Sequence, residues 1–161
     1  MSTPLRVIHL FANLNLGGAE SRIMDLYRSQ NEKELINNFV IMTNEHCHFT
    51  DEVLASGGTI HTIVNPRGQL LRNLWQLYQL LKNGEKYDAI HAHTSYYSGI
   101  AVFIAWLAGI KARVTHARNQ QTGNETFKTK LLFKTGKWLA NHFATSKLAI
   151  SSALWRVFIW R

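Results

Sequence analysis

The chain predicts an α/β fold, a doubly wound parallel sheet in a single domain, and three observations carry that expectation. Apolar runs alternate with segments of helical periodicity along nearly all of the 161 residues. A glycine-rich loop, Gly17-Gly18, stands between the first apolar run and the first helical segment. No internal repeat, low-complexity tract or interdomain linker interrupts the alternation, and strands separated by helices imply parallel neighbours joined by right-handed crossovers. A hydrophobic content of 46% is ordinary for a globular core.

Each element follows from local pattern. Residues 5–11 are an apolar run and read as the first strand; residues 19–30 read as a helix with Ile23, Met24, Leu26 and Tyr27 on its apolar side. A second strand is expected at 39–43. Thr50, Asp51 and Glu52 open a short helix through Ala55 that Gly57-Gly58 closes, ahead of a third strand at 59–64 and a turn at Asn65-Pro66-Arg67-Gly68. Leu70, Leu74, Leu77 and Leu81 share one side of a helix over 70–81 that stops at Asn83-Gly84. A strand at 87–92, an apolar helix at 97–108 ending on Gly109, a strand at 112–116, a helix at 127–140 and a last short strand at 142–145 complete the series. Beyond them, Leu148, Ile150, Leu154, Trp155, Val157, Phe158, Ile159 and Trp160 crowd one terminus and call for a partner surface.

Composition narrows the class. The single cysteine, Cys47, allows no internal disulfide and fits a reducing compartment, so the cytoplasm is the expected location. The first residues lack the charged, apolar and cleavage regions of a secretion signal. The longest apolar stretch, 99–110, falls short of the roughly 20 residues that span a bilayer.

The net charge of +8 sits at one end: up to Glu125 there are 11 Lys and Arg against all 10 acids, and beyond it 7 basic residues and no acid. Helical spacing puts Phe127, Leu131 and Trp138 on one face, expected to pack on the core, and Lys130, Lys134 and Lys137 on another. The plain reading is a core-packed helix with solvated lysines; the sharper one is attraction of those lysines to an anionic membrane surface. Nucleic acid is not expected as a partner, since no basic motif interleaved with aromatics is present.

Candidate chemistry gathers where the strands end. Ligands of open α/β sheets bind beyond the carboxyl ends of the strands, where helix N-termini offer backbone N–H groups to anions. Gly17-Gly18 lies there, with neither the G-x-G-x-x-G of dinucleotide binders nor the lysine of a phosphate-binding Walker loop, so a tight turn competes with a ligand loop. His91-Ala92-His93-Thr94 ends the fourth strand and Thr115-His116-Ala117-Arg118-Asn119 the fifth. Alternation puts His91 and His93 on one side, with His93 nearer the carboxyl edge and the better placed to meet a ligand. Imidazole suits proton exchange or a hydroxyl-rich substrate, and Arg118 suits an anion; two hydrogen-bonded core histidines are the competing reading. No metal is expected, because His-x-His lacks a third ligand at useful spacing and His46-Cys47-His48 reads as a polar loop. No G-x-S-x-G nucleophile elbow occurs, and Ser95 and Ser98 read as helix-start residues.

Taken in order, Leu14-Asn15-Leu16-Gly17-Gly18-Ala19-Glu20 with Met24-Asp25-Leu26-Tyr27-Arg28, then Tyr87-Asp88-Ala89-Ile90-His91-Ala92-His93-Thr94-Ser95-Tyr96-Tyr97-Ser98-Gly99, then Arg113-Val114-Thr115-His116-Ala117-Arg118-Asn119, resemble the N-terminal domain of family 4 glycosyltransferases of the GT-B fold, capsular and exopolysaccharide types most closely. The resemblance covers about residues 5–147. It implies a Rossmann-like domain on the acceptor side of an enzyme. That enzyme would move a sugar from a UDP- or GDP-linked donor to a glycan or lipid-linked acceptor, retaining anomeric configuration, with no cofactor and no essential metal.

By that resemblance Gly17 and Gly18 bring N–H groups toward the donor phosphates and the acceptor, and His93 matches the active-site histidine that contacts the reacting sugar. His116, Arg118 and Asn119 would line the acceptor side. The family's donor-binding second domain, with its E-x7-E element, is expected to be absent, since no two glutamates here are separated by seven residues. Residues 148–161 read as a divergent or truncated tail. The expected activity of the chain alone is therefore little or none, at the inner face of the cell membrane. Two alternatives stand beside this: a module that binds acceptor or lipid or pairs with a separate donor domain, and an unrelated basic α/β protein acting at membranes or nucleic acid.

Overall fold

A computed structural model describes residues 3–30, 34–117 and 127–151. Six strands form one sheet: β1 (Leu5–Leu10), β2 (Leu35–Ile41), β3 (Thr59–Thr62), β4 (Ala89–Ala92), β5 (Ala112–Ala117) and β6 (Ser146–Ala149). They are joined by α1 (Gly18–Ser29), α2 (Thr50–Ala55), α3 (Leu70–Asn83), α4 (Tyr97–Ala108) and α5 (Phe127–Phe143). The strand order is β3-β2-β1-β4-β5-β6 and every pairing is parallel. This is the Rossmann-like order, wound outward in both directions from β1 and β4.

Strand alternation divides the core between the two faces of the sheet. Ile8, Leu10, Val40, Ile90 and Ala92 pack on the α3 and α4 side, and Phe39 and Ile41 pack with Ile23 and Met24 of α1 and Val53 of α2 on the other.

Three elements depart from the sequence expectation. β2 starts at Leu35 rather than 39, because two buried asparagines there are hydrogen-bonded instead of apolar: Asn37 Oδ1 accepts from His9 Nε2 at 3.0 Å and Asn38 Nδ2 donates to the Tyr87 hydroxyl at 3.2 Å. The last strand is not at 142–145. α5 continues to Phe143, where His142 Nδ1 donates to the Trp138 carbonyl at 2.8 Å, and strand pairing resumes only after Thr145 donates to the Arg113 carbonyl. Arg113 closes the helix, its Nε donating to the Phe143 carbonyl at 2.6 Å. β6 then runs across Lys147, where the resemblance was expected to end.

The third correction concerns which face of α5 is buried. Leu131 and Trp138 are 55% and 53% exposed, so they do not face the core. The buried side carries Gly136 and Ala140, because α5 crosses α4 at a glycine pair. A Cβ added at Gly99 would overlap the Gly136 carbonyl, and one added at Gly136 would overlap the Tyr96 carbonyl. The backbones approach closely because neither residue has a side chain, and that contact fixes the helix rotation.

Gly136→Ala therefore sets two effects against each other. Alanine gains about 1 kcal/mol in helix propensity over glycine, while overpacking against backbone costs about 1–3 kcal/mol and offers no rotamer as an escape. The expected outcome is a lower denaturation midpoint for Gly136→Ala and for Gly99→Ala; a rise in either would contradict the crossing.

Candidate active site

In an open parallel sheet the ligand crevice lies beyond the carboxyl ends of the strands, where the winding reverses. Here that reversal falls between β1 and β4. The chain leaves β1 with Phe11 N–H donating to the Val40 carbonyl at 2.9 Å, and leaves β4 with His93 N–H donating to the Leu10 carbonyl at 3.0 Å. Between these exits opens a cleft of about 460 Å³ whose walls include Phe11, Glu20, Arg67, His93, Ser95 and Tyr97. Another opening, about 380 Å³, lies at the amino ends of the strands beside Arg6, Leu35 and Glu85, the wrong end of a parallel sheet for that crevice.

The glycine loop forms one approach to the cleft. Gly17 is the residue before α1, extended at φ −154° and ψ 159°, and no side chain caps the helix. Neither Gly17 nor Gly18 has a left-handed φ, so turn geometry does not require glycine at either position. An added Cβ at Gly18 would meet nothing within 4 Å. What glycine provides there is open access to the first N–H groups of a helix, and Glu20 of that first turn reaches the cleft.

Histidines gather behind the cleft on one face of the sheet. His9 on β1 is paired in register with His91 on β4, and His91, His93 and His116 of β5 lie on the same face. Ring centroids are 3.9 Å apart for His91 and His93, 5.5 Å for His91 and His116, and 5.7 Å for His93 and His116. Phe11 stacks on His93 at 4.2 Å with planes 7° apart, holding that ring flat against the β1 exit. His93 and not His91 lines the cleft; His91 lines an opposite groove beneath α1.

A hydrogen-bond chain orients these rings. Asn37 Nδ2 donates to Gln30 Oε1, so Asn37 Oδ1 faces His9 and accepts from its Nε2 at 3.0 Å. That assigns the proton of neutral His9 to Nε2 and leaves Nδ1 as acceptor, 3.3 Å from His93 Nε2. The imidazole of His93 is thus held both by stacking and by a ring nitrogen of His9.

The opposite wall is clamped from α3. Gln76 Oε1 accepts from Val64 N–H at 2.8 Å and Asn73 Nδ2 donates to the Val64 carbonyl at 2.6 Å, fixing the start of the Asn65-Pro66-Arg67 loop. The Tyr97 hydroxyl donates to Asn73 Oδ1, and burial pushes its pKa well above the usual phenol value, so it stays protonated. Ser95, at the rim, has a φ of 39°, a strained conformation for a non-glycine residue of the kind that gathers at functional sites. The Ser98 hydroxyl, inside the first turn of α4, accepts from Thr94 N–H at 2.9 Å and ties the β4 exit to that turn, while no side chain caps the helix.

The structure brings His93 and Glu20 of the first turn of α1 to one cleft, whose lining does not include Gly17 or Gly18, and puts His116 beside His93. Arg118 and Asn119 lie outside the described residues. Lys130, Lys134 and Lys137 lie on α5 and do not line the cleft. His46-Cys47-His48 does not converge: Cys47 is buried, while His46 pairs outward with Asp51 at 2.9 Å. Sequence reading missed His9, Asn37, Glu20 and Arg67. The signal for His9 was available, since alternation in β1 puts Val7, His9 and Phe11 on one face.

Residues 17–157 match the family described as the glycosyl transferase 4-like domain. The chain belongs to that family. It is 30% identical over 119 residues, 73% of its length, to a Bacillus subtilis (strain 168) protein named glycosyltransferase EpsF. It is 27% identical over 150 residues, 92% of its length, to a Staphylococcus aureus protein named capsular polysaccharide biosynthesis glycosyltransferase CapH. The aligned parts make up 31% and 41% of those two relatives, so the chain spans well under half of either. For this glycosyl transferase 4-like chain, the match begins at the glycine loop and includes the cleft residues from Glu20 to Tyr97, with Phe11 and Ala12 at the end of β1 lying ahead of it.

Proposed function

We propose that this glycosyl transferase 4-like chain is the acceptor-side domain of a sugar-transfer enzyme in cell-surface polysaccharide biosynthesis, taking a glycan or lipid-linked acceptor and working with a UDP- or GDP-linked donor. The observation that carries the reading is the cleft at the β1–β4 winding reversal, where His93, Glu20 of the first turn of α1 and Arg67 meet. The name of CapH supports the pathway assignment, and both names support sugar transfer.

In this reading His93 hydrogen-bonds the reacting sugar, Arg67 and the α1 N–H groups carry negative charge of the phosphates, and Glu20 takes an acceptor hydroxyl. His116, with Arg118 and Asn119, serves the acceptor side. Anomeric configuration is retained and no cofactor or metal is required for the transfer. Preorganised donors facing the departing phosphate lower the barrier chiefly by electrostatics. The donor-binding domain comes from elsewhere, as a further stretch of chain or a separate subunit, and without it the 161 residues turn over little or no sugar.

The outer face of α5 supports a place at a membrane. At 100° per residue, exposed Leu131 and Trp138 share one direction, Lys134, Lys130 and Lys137 follow in a band along one side of it, and no acid lies on the helix. An apolar strip beside a cationic one suits an anionic lipid surface. No helix among the described residues is long and apolar enough to cross a membrane, so contact would be peripheral.

Two measurements test these statements. Assayed with UDP- and GDP-hexoses and a polyprenyl-linked sugar, the chain alone should give no transfer, whereas its fusion to the unmatched part of EpsF should. His93→Ala should lower the fusion's rate by roughly 10²-fold, the scale for one lost transition-state hydrogen bond. Transfer by the chain alone would overturn its incompleteness, and an unchanged His93→Ala rate would overturn the site. In flotation with vesicles rich in anionic lipid, neutralising Lys130, Lys134 and Lys137 together should release the protein; unaltered flotation would remove the membrane face.

A further inference from the structure

The pairing of β1 with β4 gives the sequence's His-x-His the third ligand that its spacing lacks. His9, His91 and His93 each present one ring nitrogen, and these three atoms all lie within 4.8 Å of one another. Among the described residues this is the one group of three or more His, Cys, Asp or Glu side chains that converges in this way. We propose that His9, His91 and His93 form a binding site for a divalent transition cation, with zinc as the fitting ion.

The geometry matches coordination at its best-defined edge. Two nitrogens each about 2.0–2.1 Å from a tetrahedral zinc are separated by about 3.3–3.4 Å, and His9 Nδ1 and His93 Nε2 are 3.3 Å apart. The third nitrogen, within 4.8 Å of both, closes that gap by turning about the His91 side-chain torsions.

The support around His9 is independent of the cluster itself. Histidine ligands of metals characteristically donate their second ring N–H to an oxygen that fixes tautomer and orientation. His9 Nε2 does this to Asn37 Oδ1 at 3.0 Å, and Asn37 is itself oriented by Gln30. His9 Nδ1 is thereby directed at the other two rings as a lone-pair donor.

Ligand chemistry selects the cation class. Three imidazoles without a carboxylate suit zinc and its neighbours and not calcium or magnesium, which take oxygen ligands. Three histidines leave a fourth position for water. Entry is open from two sides: His93 lines the cleft, and His9 and His91 line a groove of about 310 Å³ beneath α1. Binding takes the place of the proton between His9 and His93, which moves from Nε2 of His93 to its Nδ1 so that the ring stays neutral in its other tautomer. A cation here would also hold the His93 ring against the interior; that consequence rests on the role proposed for His93, and the binding does not.

The test uses tag-free full-length protein with the metal alone. Titration with Co²⁺ should give the intense visible bands of tetrahedral coordination, saturating at one ion per chain and abolished by Zn²⁺. Competition with a chromogenic chelator gives the zinc affinity. His91→Gln should weaken it by more than the roughly 10–100-fold expected for the supporting change Asn37→Leu, while the double variant His46→Gln, His48→Gln should leave it unchanged. Independently of how the variants fold, Zn²⁺ should shield His9, His91 and His93 of the wild type from diethyl pyrocarbonate while His46 and His48 are still labelled. Absence of saturable binding, loss of binding in the His46, His48 variant, or equal labelling of the cluster with and without Zn²⁺ would each overturn the site.

Discussion

The parallel pairing of β1 with β4 is the constraint on which the rest of the molecule depends. It joins two strands whose connections wind away in opposite directions, so their carboxyl ends have no crossover helix between them and a cleft is left open. The register within that pair, with His9 opposite His91, decides what the cleft contains. A slip by one residue would turn His9, Phe11 and their partners to the α3 and α4 side, replacing histidines with Ile8 and Leu10 at the site and burying polar rings in an apolar layer.

Buried polar residues are the cost of that arrangement, and the three buried asparagines are each hydrogen-bonded. Asn37 serves His9, Asn38 serves Tyr87, and Asn73 serves both Tyr97 and the Val64 carbonyl. A buried polar group without a partner costs about 1–3 kcal/mol, so these networks need to be complete to be tolerated. Their completeness also makes the cleft walls rigid: the β3–α3 loop is held through Val64, the α4 start through Tyr97, and the His93 ring through His9 and Phe11. Next to the cleft residue Tyr96, the Gly99–Gly136 crossing performs a comparable task. It rotates α5 so that Leu131 and Trp138 face outward beside the lysines.

Element type was legible because strands and helices leave different periods, and every connection in the described sheet matches the alternation of runs. What the sequence did not reveal depended on contacts distant along the chain. The start of β2 was hidden because Asn37 and Asn38 look like loop residues until the hydrogen bonds to His9 and Tyr87 are known. The rotation of α5 was misread because hydropathy places Leu131 and Trp138 inside, while the actual determinant is the missing side chain of Gly136. His93 was recognisable from its place at a strand end, but His9 is 84 residues away and becomes its neighbour only through strand order. Glu20 ends the glycine-loop motif and Arg67 sits in a turn, with nothing in either to mark a site; only the fold brings them to one cleft.

The central claim is that sugar and phosphate groups bind at the β1–β4 winding reversal. Backbone amide shifts of the ¹⁵N-labelled chain, followed during titration with a detergent-solubilised polyprenyl-phosphate-linked hexose, test it most directly. The account predicts saturable shifts concentrated at residues 11–20, 65–67 and 93–97. Shifts confined to the amino-end opening around Arg6, Leu35 and Glu85, or to the outer face of α5 alone, would contradict it.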